Sequence, residues 1–515
     1  MTEVVSEQFD VTVVGLGPVG CLATLLLARA GLKVAAIERD EEVYKLPRAV
    51  NLDGEIVRAM QPLGLAEALN DLLQTVRDGE RAGFADSQHN WLFGQDVRAS
   101  GSSGWQPMNM FDQPEVEGFL RDQATGEANC QAFIGYEASA LTQTIEGVSI
   151  TATNDNESHT ITSDYLIACD GASSPIRKAL DIEWTDLGYD QDWLVVDIVT
   201  KPGHTLGLST VQVCDPDRIS TYVCTKDPYR RWEFRLNPGE TWEEMLDPAK
   251  IESLIDDWTP PGTYSIRRAA MYTFHAANAK RWSEGRVFIA GDAAHQTPPF
   301  LGQGMNTGMR DAINLAWKLP MVISGKANPE LLDTYEAERK AHAHDFVDWA
   351  VSIGKLMEHL AEVEKATRAG KEPPGMPSEL RASGYGQGRE SLPLRDGVVY
   401  VEQVSDEDIT GTQCYQPTVV VEEEEQRLDD VLGPGFSLLI KDPTVNHSLD
   451  HPAIEKLNIR SVMVSDITIR KGRLSGEEHE AIVIRPDKYI FGHTSEHVSL
   501  DDLLDRLNET LHLTH

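Results

Sequence analysis

The segment from residue 10 to residue 38 limits the possible folds of this chain more than any other part. FDVTVV at 9–14 is a short apolar run typical of a buried strand, and GLGPVG at 15–20 follows it directly. A helical stretch then continues to about Ala30, and Lys33–Ile37 is typical of a second strand, which ends at Glu38. Strand, G-x-G-x-x-G turn, helix, strand and acidic residue, in this order, form the fingerprint of a Rossmann dinucleotide-binding unit. A plain strand-to-helix turn without a ligand is the alternative.

The residue types of this fingerprint suit a dinucleotide. Glycines at 15, 17 and 20 allow a tight turn and bring backbone N–H groups against a pyrophosphate at a helix N-terminus. Glu38 can accept hydrogen bonds from ribose hydroxyls. We therefore expect Gly15, Gly17, Gly20 and Glu38 to bind a dinucleotide, together with the neighbouring Arg39. The same fingerprint serves NAD and FAD, so a second feature must separate them.

Residues 287–311 favour the flavin. They contain an apolar strand, a Gly-Asp pair, a proline-containing loop and a glycine-rich start of a helix, in VFIAGDAAHQTPPFLGQGMNTGMRD. The carboxylate of Asp292 can accept hydrogen bonds from a polyol such as the ribityl chain. The helix opened by Gly304 and Asn306 would direct its positive end at the negative charge of a reduced flavin. A simple helix cap would explain the glycines but not the Gly-Asp pair beside them, so the sequence predicts FAD.

Four segments carry a resemblance to a known family: GLGPVG (15–20), Pro47-Arg48-Ala49, CDGASSPIR (169–177) and GDAAHQTPPFLGQGMNTGMRDAINLAWKL (291–319). Together they resemble the class A, single-component flavoprotein monooxygenases of the para-hydroxybenzoate and phenol hydroxylase type. Three further segments are similar to 3-(3-hydroxyphenyl)propionate hydroxylases, namely WLVVDI (193–198), RRWEFRLNPGET (230–241) and LLDTYEAERKAHA (331–343). One departure is Leu301, where the family more often has glycine.

The resemblance implies an α/β (α+β) fold: a para-hydroxybenzoate-hydroxylase-like FAD-binding Rossmann domain, an inserted substrate-binding β-sheet and a C-terminal thioredoxin-like domain. Alternating residues in WLVVDIVT and RRWEFRL support strands in the insertion. The C-terminal part contains no C-x-x-C motif, so it would lack thiol redox chemistry. The expected boundaries are 1–80, 108–185 and 281–370 for the FAD-binding domain, 81–107 and 186–280 for the substrate-binding sheet, 371–394 for a linker, and 395–515 for the thioredoxin-like domain.

The resemblance also implies further cofactor contacts. Arg48 would lie near the flavin pyrophosphate, Gln113 would contact the flavin, and Asp170 belongs to a segment that meets both the flavin and the pyridine nucleotide. Pro299, Gly304, Met305 and Asn306 would line the loop beside the flavin. Two structural alternatives stand beside these roles. Asp170 and Arg177 would form a pair that fixes their turn, and Asp112 would cap the helix that contains Gln113.

Asp53 in AVNLDGE and Tyr272 in AAMYTFH match the carboxylate and the tyrosine that phenol hydroxylases place near the substrate hydroxyl. In such enzymes NADH or NADPH reduces FAD, and O2 then forms a C4a-hydroperoxide that attacks an electron-rich ring carbon. A phenol reacts faster once its hydroxyl has lost a proton, so the site needs a proton acceptor and a dry cavity. We expect Asp53 and Tyr272 to be catalytic. The alternative is that Asp53 only caps the helix that starts at Gly54.

The resemblance therefore implies an FAD-dependent, NAD(P)H-consuming monooxygenase. Its substrate would be a phenolic small molecule, meta-substituted and carrying an acidic group. A heteroaromatic or polyketide ring as substrate, or an FAD-binding protein that does not hydroxylate, are the alternatives. Only one dinucleotide fingerprint is recognisable, which suits a nicotinamide cofactor that binds transiently.

Composition agrees with a small-molecule enzyme. The net charge of −36 argues against a nucleic-acid partner. No apolar run approaches the roughly 20 residues of a membrane span, and the N-terminus lacks the features of a signal peptide, so we expect a cytoplasmic protein. The six scattered cysteines indicate buried small residues rather than disulfides or metal ligands. His275 and His295 have no metal-ligand spacing, so we expect packing roles and no metal. A homodimer is also expected.

Overall fold

The computed structural model describes most of the chain: residues 8–75, 77, 79–97, 101–204, 206–207, 209–382, 392–441, 449–476 and 478–513. Within the expected linker 371–394, residues 383–391 lie outside this description. None of the described helices is long and apolar enough to cross a membrane.

The first sheet is the predicted Rossmann layer. Its main path runs β17-β18-β11-β1-β2-β8, and β1 is parallel to both β2 and β11. The helix after β1 begins at Pro18, where proline is compatible with the first helical turn. The strands are β1 (Gln8–Val14), β2 (Val34–Glu38), β8 (Cys130–Ile134), β9 (Glu137–Gln143), β10 (Val148–Thr153), β11 (Ser158–Ala168), β17 (Ser283–Glu284) and β18 (Val287–Ile289).

The second sheet lies over the first layer and is called the roof sheet below. Its order is β19-β16-β12-β15-β14-β13-β5-β6, with antiparallel pairs through its centre. One face packs on the two short helices Trp242–Met245 and Pro248–Asp256 through an apolar cluster that includes Val196 and Trp232. The opposite face is the inner face. The strands are β5 (Arg81–Ala85), β6 (Trp91–Asp96), β12 (Trp184–Thr200), β13 (Ser209–Val213), β14 (Ser220–Val223), β15 (Tyr229–Arg235), β16 (Tyr264–Ala279) and β19 (His295–Gln296).

A small third sheet, in the order β3-β7-β4, stands beside the cofactor layer. Its strands are β3 (Asn51–Asp53), β4 (Gln74–Thr75) and β7 (Met108–Met110). The helices of this part of the chain are α1 (Pro18–Arg29), α2 (Gly54–Ala59), α3 (Ala66–Asp71), α4 (Gln113–Thr125), α5 (Pro175–Ala179), α6 (Trp242–Met245), α7 (Pro248–Asp256), α8 (Gly304–Ile323), α9 (Asp333–Arg368) and α10 (Ser378–Ala382).

The C-terminal part contains a four-stranded sheet in the order β23-β22-β25-β26. A helix joins the parallel pair β22 and β23, and an antiparallel hairpin and a final helix follow, which is the expected thioredoxin-like arrangement. A separate small sheet has the order β21-β20-β24. The elements are β20 (Thr418–Val421), β21 (Glu424–Arg427), β22 (Ser437–Ile440), β23 (Arg460–Met463), β24 (Thr468–Lys471), β25 (Ala481–Ile484), β26 (Ile490–His493), α11 (Leu428–Leu432), α12 (Pro452–Leu457) and α13 (Leu500–Thr510).

Buried ion pairs join the C-terminal part to the cofactor layer. Arg58 of α2 forms a bidentate pair with Asp429, at 2.6 and 2.7 Å. Glu338 of α9 lies 2.7 Å from Arg485 and 2.9 Å from Lys318 of α8. Such pairs are costly to break one partner at a time, so they fix how the two parts pack.

Candidate active site

The glycine-rich turn has the geometry that a pyrophosphate requires. Gly15 has φ +90°, and a Cβ there would lie 2.5 Å from the carbonyl oxygen of Cys169. A Cβ at Gly20 would lie 1.8 Å from the carbonyl oxygen of Gly15. At Gly17, by contrast, a Cβ would meet no atom of the described residues within 4 Å. The first and third glycines are therefore needed for packing, and the second borders open space at the N-terminus of α1.

Glu38 lies beside this turn, as predicted. Its carboxylate is 8 % exposed and accepts hydrogen bonds from the backbone N–H of Leu16 at 2.6 Å and of Asp40 at 2.9 Å. These bonds hold the acidic residue next to the glycines. Arg39 instead points outward, with its guanidinium 3.4 Å from the exposed Asp40 carboxylate.

The loop of Pro47 and Arg48 is held from two directions. The side-chain oxygen of Gln113 accepts from the N–H groups of Arg48 and Ala49, at 2.8 and 2.7 Å. From the roof sheet, Arg231 donates to the carbonyl oxygens of Arg48 and Pro47, at 2.6 and 2.8 Å. The exposed Arg48 guanidinium, free of hydrogen bonds to other described residues, remains available for an anion.

The side chain of Gln113 therefore holds the backbone of the Arg48 loop in place. Its amide nitrogen donates a hydrogen bond to the Glu117 carboxylate at 2.9 Å. The alternative for its neighbour Asp112, a helix cap, is wrong. Asp112 occupies the N-cap position of α4 without a capping hydrogen bond, and its carboxylate binds Arg267 at 2.8 and 3.0 Å instead.

The Gly-Asp turn is fixed by a carboxylate that the sequence reasoning did not identify. Asp311 of α8 accepts from the N–H of Gly291 at 3.0 Å, from His295 at 2.9 Å and from Arg339 at 3.0 Å. His295 is buried and stacks on the indole of Trp282. The predicted ligand Asp292 is exposed, and no other described residue hydrogen-bonds its carboxylate.

The loop before α8 contains the remaining predicted flavin contacts. Three of them, Pro299, Gly304 and Met305, are partly buried around the N-terminus of α8. Gly302, in the same loop, has a φ of +63°. Asn306 is fully buried. Its side chain donates to the backbone oxygens of Asn51 and Gly302 and accepts from the N–H of Asp53. Its amide joins β3 to α8, so a cofactor contact would have to come from its backbone.

Asp170 and Arg177 each fix their turn through backbone groups. Asp170 accepts from the N–H of Ile176 at 3.1 Å, and its other oxygen is buried with no hydrogen-bond partner. Burial raises the pKa of this carboxyl. Arg177 donates to the carbonyl oxygen of Ala172 at 3.1 Å. In the described ranges no ion pair joins the two, so one Asp170 oxygen stays available to a ligand.

Asp53 binds α8 rather than capping α2. Its carboxylate accepts from Arg310 at 2.5 Å and from Gln303 at 3.1 Å, and no capping hydrogen bond forms, so the helix-cap alternative is wrong. Arg310 also pairs with Glu55 at 2.7 Å. Burial raises the pKa of Asp53, while Arg310 opposes the shift. With Asn51 donating at 3.3 Å, the Asp53 carboxylate already has three hydrogen-bond donors.

Tyr272 lies on the inner face of the roof sheet, opposite Trp193 of β12. Its hydroxyl accepts a hydrogen bond from Arg268, and Arg268 also donates to the carbonyl oxygen of Pro47. Tyr272 and Asp53 are on different elements, and no contact between them is present in the part of the chain that the structure describes. Arg268 thus ties Tyr272 to the loop at Pro47, whereas Asp53 is held by Arg310 and Gln303 at the start of α8.

Several inner-face residues were not predicted. Trp193, Phe274 and Phe300 form an aromatic wall, with ring centroids 5.4 to 6.4 Å apart. Glu233 and Gln212 lie on the same face, because each is in register with Thr221. The alternation in RRWEFR contained a usable signal, since a period of two places Arg231, Glu233 and Arg235 on one face of a strand.

Comparison with known proteins agrees with this geometry. The model of a family described as FAD binding domain matches residues 8–350. The 3-(3-hydroxy-phenyl)propionate/3-hydroxycinnamic acid hydroxylase of Klebsiella pneumoniae subsp. pneumoniae is 34% identical over 451 residues, covering 84% of this chain and 78% of that protein. The same-named hydroxylase of another strain of Klebsiella pneumoniae, strain 342, is 32% identical over the same length.

Among solved structures, a ternary complex of aklavinone-11 hydroxylase with FAD and aklavinone superposes with a TM-score of 0.79 at 24% identity. It covers 99% of this chain and 100% of the other. The flavin-dependent monooxygenase PieE, in complex with FAD and substrate, gives a TM-score of 0.77 at 20% identity with the same coverage. These similarities establish the fold.

Proposed function

This chain belongs to the FAD binding domain family and is a class A flavin-dependent aromatic hydroxylase, and from that premise we propose that it hydroxylates a phenol at the expense of NADH or NADPH and O2. The proposed substrate is a meta-substituted phenol with an acidic side chain, of the kind named for its relatives. The proposal depends on how the inner face of the roof sheet contacts the predicted cofactor loops. Arg231 ties that face to the Arg48 loop, and Gln212 donates to the carbonyl oxygen of Phe300 at 3.4 Å.

The residues present fit FAD. Open space at Gly17, the exposed guanidinium of Arg48 and the unpartnered carboxylate of Asp292 would hold the pyrophosphate and the ribityl chain. The unpartnered oxygen of Asp170 adds an acceptor in the same region. When bound, FAD supplies two-electron chemistry with the nicotinamide and activation of O2.

The protein's own residues would manage the substrate and its proton. Tyr272 accepts a hydrogen bond from Arg268, so its own hydroxyl proton is free for donation to a substrate oxygen. Trp193 and Phe300 provide a dry aromatic wall for a ring. Asp53 would act on the phenolic proton only if substrate displaced Gln303 and Asn51, because these residues and Arg310 already donate hydrogen bonds to its oxygens.

A substrate panel tests the proposal. NAD(P)H oxidation and hydroxylated product, measured by mass spectrometry, are compared for 3-(3-hydroxyphenyl)propionate, its amide, 3-methylphenol and a polycyclic phenol. We expect stoichiometric hydroxylation of at least one monocyclic phenol, and the acid-to-amide comparison tests the acidic side chain. FAD binding without hydroxylation of any phenol would contradict the proposal. The homodimer and the cytoplasmic location remain predictions.

A further inference from the structure

We propose that Glu233 is a catalytic residue of this hydroxylase and that its carboxylate accepts the hydrogen bond, and then the proton, of the substrate's phenolic hydroxyl. The inference rests on the proposed function and names the group that meets the reacting hydroxyl. No sequence motif suggested this role, and it assigns to the roof sheet a task that sequence reasoning gave to Asp53.

The position of Glu233 follows from strand register. On β15 it pairs with Val195 of β12 on one side and with Thr221 of β14 on the other. Directly opposed residues share a face, so Glu233 lies on the inner face. Two residues earlier on the same strand, Arg231 binds the Pro47 loop. On the other side, Thr221 donates to Gln212 at 2.6 Å, and Gln212 reaches the carbonyl oxygen of Phe300.

Glu233 therefore lies between the two points where the roof sheet touches the cofactor loops. Its neighbour across β12 is Val195, and Trp193, two residues earlier on that strand, belongs to the aromatic wall. A ring held against that wall and between the two loops would bring a hydroxyl within reach of Glu233.

The Glu233 side chain is 4 % exposed, yet no hydrogen bond or ion pair reaches its carboxylate from any described residue. The nearby cations are already committed. Arg231 pairs with Asp197 at 2.7 Å, and Arg268 binds Asp197 and the Pro47 carbonyl. A carboxylate in such a largely buried position gains from a hydrogen-bond donor, because buried polar groups are nearly always hydrogen-bonded. A ligand that donates a hydrogen bond would satisfy it.

The electrostatics suit proton exchange near neutrality. The pKa of Glu233 is raised to about 7, chiefly by burial and also by Asp197, although the Arg231 and Arg268 guanidiniums partly oppose the rise. Tyr272 and Arg235 also lie on this face, Cys214 packs with its aromatic wall, and Arg235 is paired with Glu358 at 2.8 Å. Arg48 belongs to the cofactor layer below this face, and its guanidinium is exposed to solvent. A general base works best when its pKa lies near the working pH.

The step balances without any further reagent. The phenolic O–H bond breaks, the proton moves to a Glu233 oxygen, and the electron pair stays on the phenolic oxygen. The ring carbons ortho and para to that oxygen become more nucleophilic, which is what an electrophilic oxygen donor requires. The ring carbon that received the oxygen then loses its original hydrogen to solvent as a proton, and Glu233 returns its proton to the phenolic oxygen as the ring becomes aromatic again.

The test compares Glu233→Gln, Glu233→Asp and Asp53→Asn in the FAD-loaded protein. Glu243→Gln, an exposed residue on α6, is the matched control. Binding of 3-methylphenol is measured without NAD(P)H, from the change in flavin absorbance. The measurement is repeated over about one pH unit on either side of the Glu233 pKa. The carboxylate form accepts the hydrogen bond and is populated above its pKa. Wild-type affinity should therefore increase as pH rises through about 7.

Glu233→Gln should bind with no pH dependence in this range and should hydroxylate about 10²–10⁴-fold more slowly. Asp53→Asn and Glu243→Gln should keep the pH dependence of binding. Glu233→Asp keeps a carboxylate, so it should keep the pH dependence at a reduced rate; it decides the question if Glu233→Gln fails to fold.

The proposal is overturned if Glu233→Gln keeps the wild-type pH profile or rate, or if folded Glu233→Asp shows no pH dependence. It is also overturned if Asp53→Asn alone removes the profile. Failure of the proposed function has a different signature, because wild-type protein would then produce no hydroxylated phenol even where its binding depends on pH and on Glu233.

Discussion

Replacing Glu338 by glutamine should loosen the C-terminal part of the chain from the cofactor layer. Glu338 is fully buried and accepts from Asn314 at 2.6 Å and from the N–H of Val398 at 2.8 Å. Its two charged partners, Lys318 and Arg485, lie 2.9 and 2.7 Å away. Glutamine keeps the size and the acceptor oxygen but leaves both cations without this counter-charge.

The magnitude follows from the pKa. Burial raises the pKa of Glu338, but Arg485 and Lys318 more than offset it and bring the value from 4.5 down to about 2. That difference corresponds to about 3 kcal/mol, in line with the roughly 3–5 kcal/mol for breaking a buried pair from one side. The folded pKa is depressed, so this stabilisation is present above pH 4.5 and is lost as pH falls through that value toward about 2.

Trp317 reports on this interface, because its indole N–H donates to Asp487 at 3.0 Å and its ring meets Phe436 edge-on at 5.6 Å. No tryptophan lies between residues 395 and 515. Urea unfolding is followed by tryptophan emission, with Trp317→Phe identifying the transition that reports the interface. We expect Glu338→Gln to move that transition to lower urea, and the difference from wild type should shrink at acidic pH.

Glu362→Gln on the same helix is the control. Its side chain is 64% exposed and lies 3.3 Å from Lys365, so removing its charge should cost no more than about 0.5 kcal/mol. Equal urea midpoints for Glu338→Gln and Glu362→Gln at neutral pH would refute the reasoning. A double variant with Lys318→Met should recover part of the loss, because Lys318 would lack a counter-charge whereas Arg485 still pairs with Asp487 at 2.6 Å.

Three further predictions concern the cofactor and the chemistry. Gly17→Ala should fold normally, since its Cβ meets no described atom, but should lose FAD, as should Asp292→Ala; flavin absorbance at unchanged circular dichroism measures this, and full FAD content in both would contradict the assignments. Asp53→Asn should keep FAD, NAD(P)H oxidation and nearly wild-type H2O2 release per hydroxylated product, because Glu233 rather than Asp53 takes the phenolic proton; an oxygen electrode with catalase quantifies the H2O2, and a large rise would return Asp53 to the proton path. Cys130→Ser, Cys214→Ser and Cys414→Ser should leave hydroxylation intact, because these thiols form no disulfide and burial raises their pKa; loss of turnover in folded protein would show a thiol-dependent step.

The features that were predictable from sequence are those encoded by neighbouring residues. The turn from β1 to α1 and the start of α8 were recognised because each is written in consecutive residues with a fixed order of glycine, strand and helix. Glu38 was placed correctly for the same reason, since it closes the second strand of that unit.

The remaining features depend on pairings between distant parts of the chain. Arg231 donates hydrogen bonds to the carbonyl oxygens of Pro47 and Arg48. No local sequence pattern predicts a hydrogen bond between a roof strand and a cofactor loop. Asp53 precedes a helix, which made a cap plausible, but Arg310 outcompetes the backbone for its carboxylate because a charge-assisted bond is stronger. The sequence placed Glu233 on a strand. Only the folded sheet shows that its carboxylate is buried and has no hydrogen-bond donor among the described residues.

The order of strands has a consequence for how the protein is made. β18 pairs in parallel with β11, yet the chain between them passes through most of the roof sheet, from β12 to β16. A growing polypeptide therefore completes its glycine turn early and receives the Gly-Asp turn and α8 only after those roof strands have been synthesised. Flavin capture during synthesis would accordingly serve as a checkpoint, because a chain able to retain the cofactor has already emerged with the strands that will cover it.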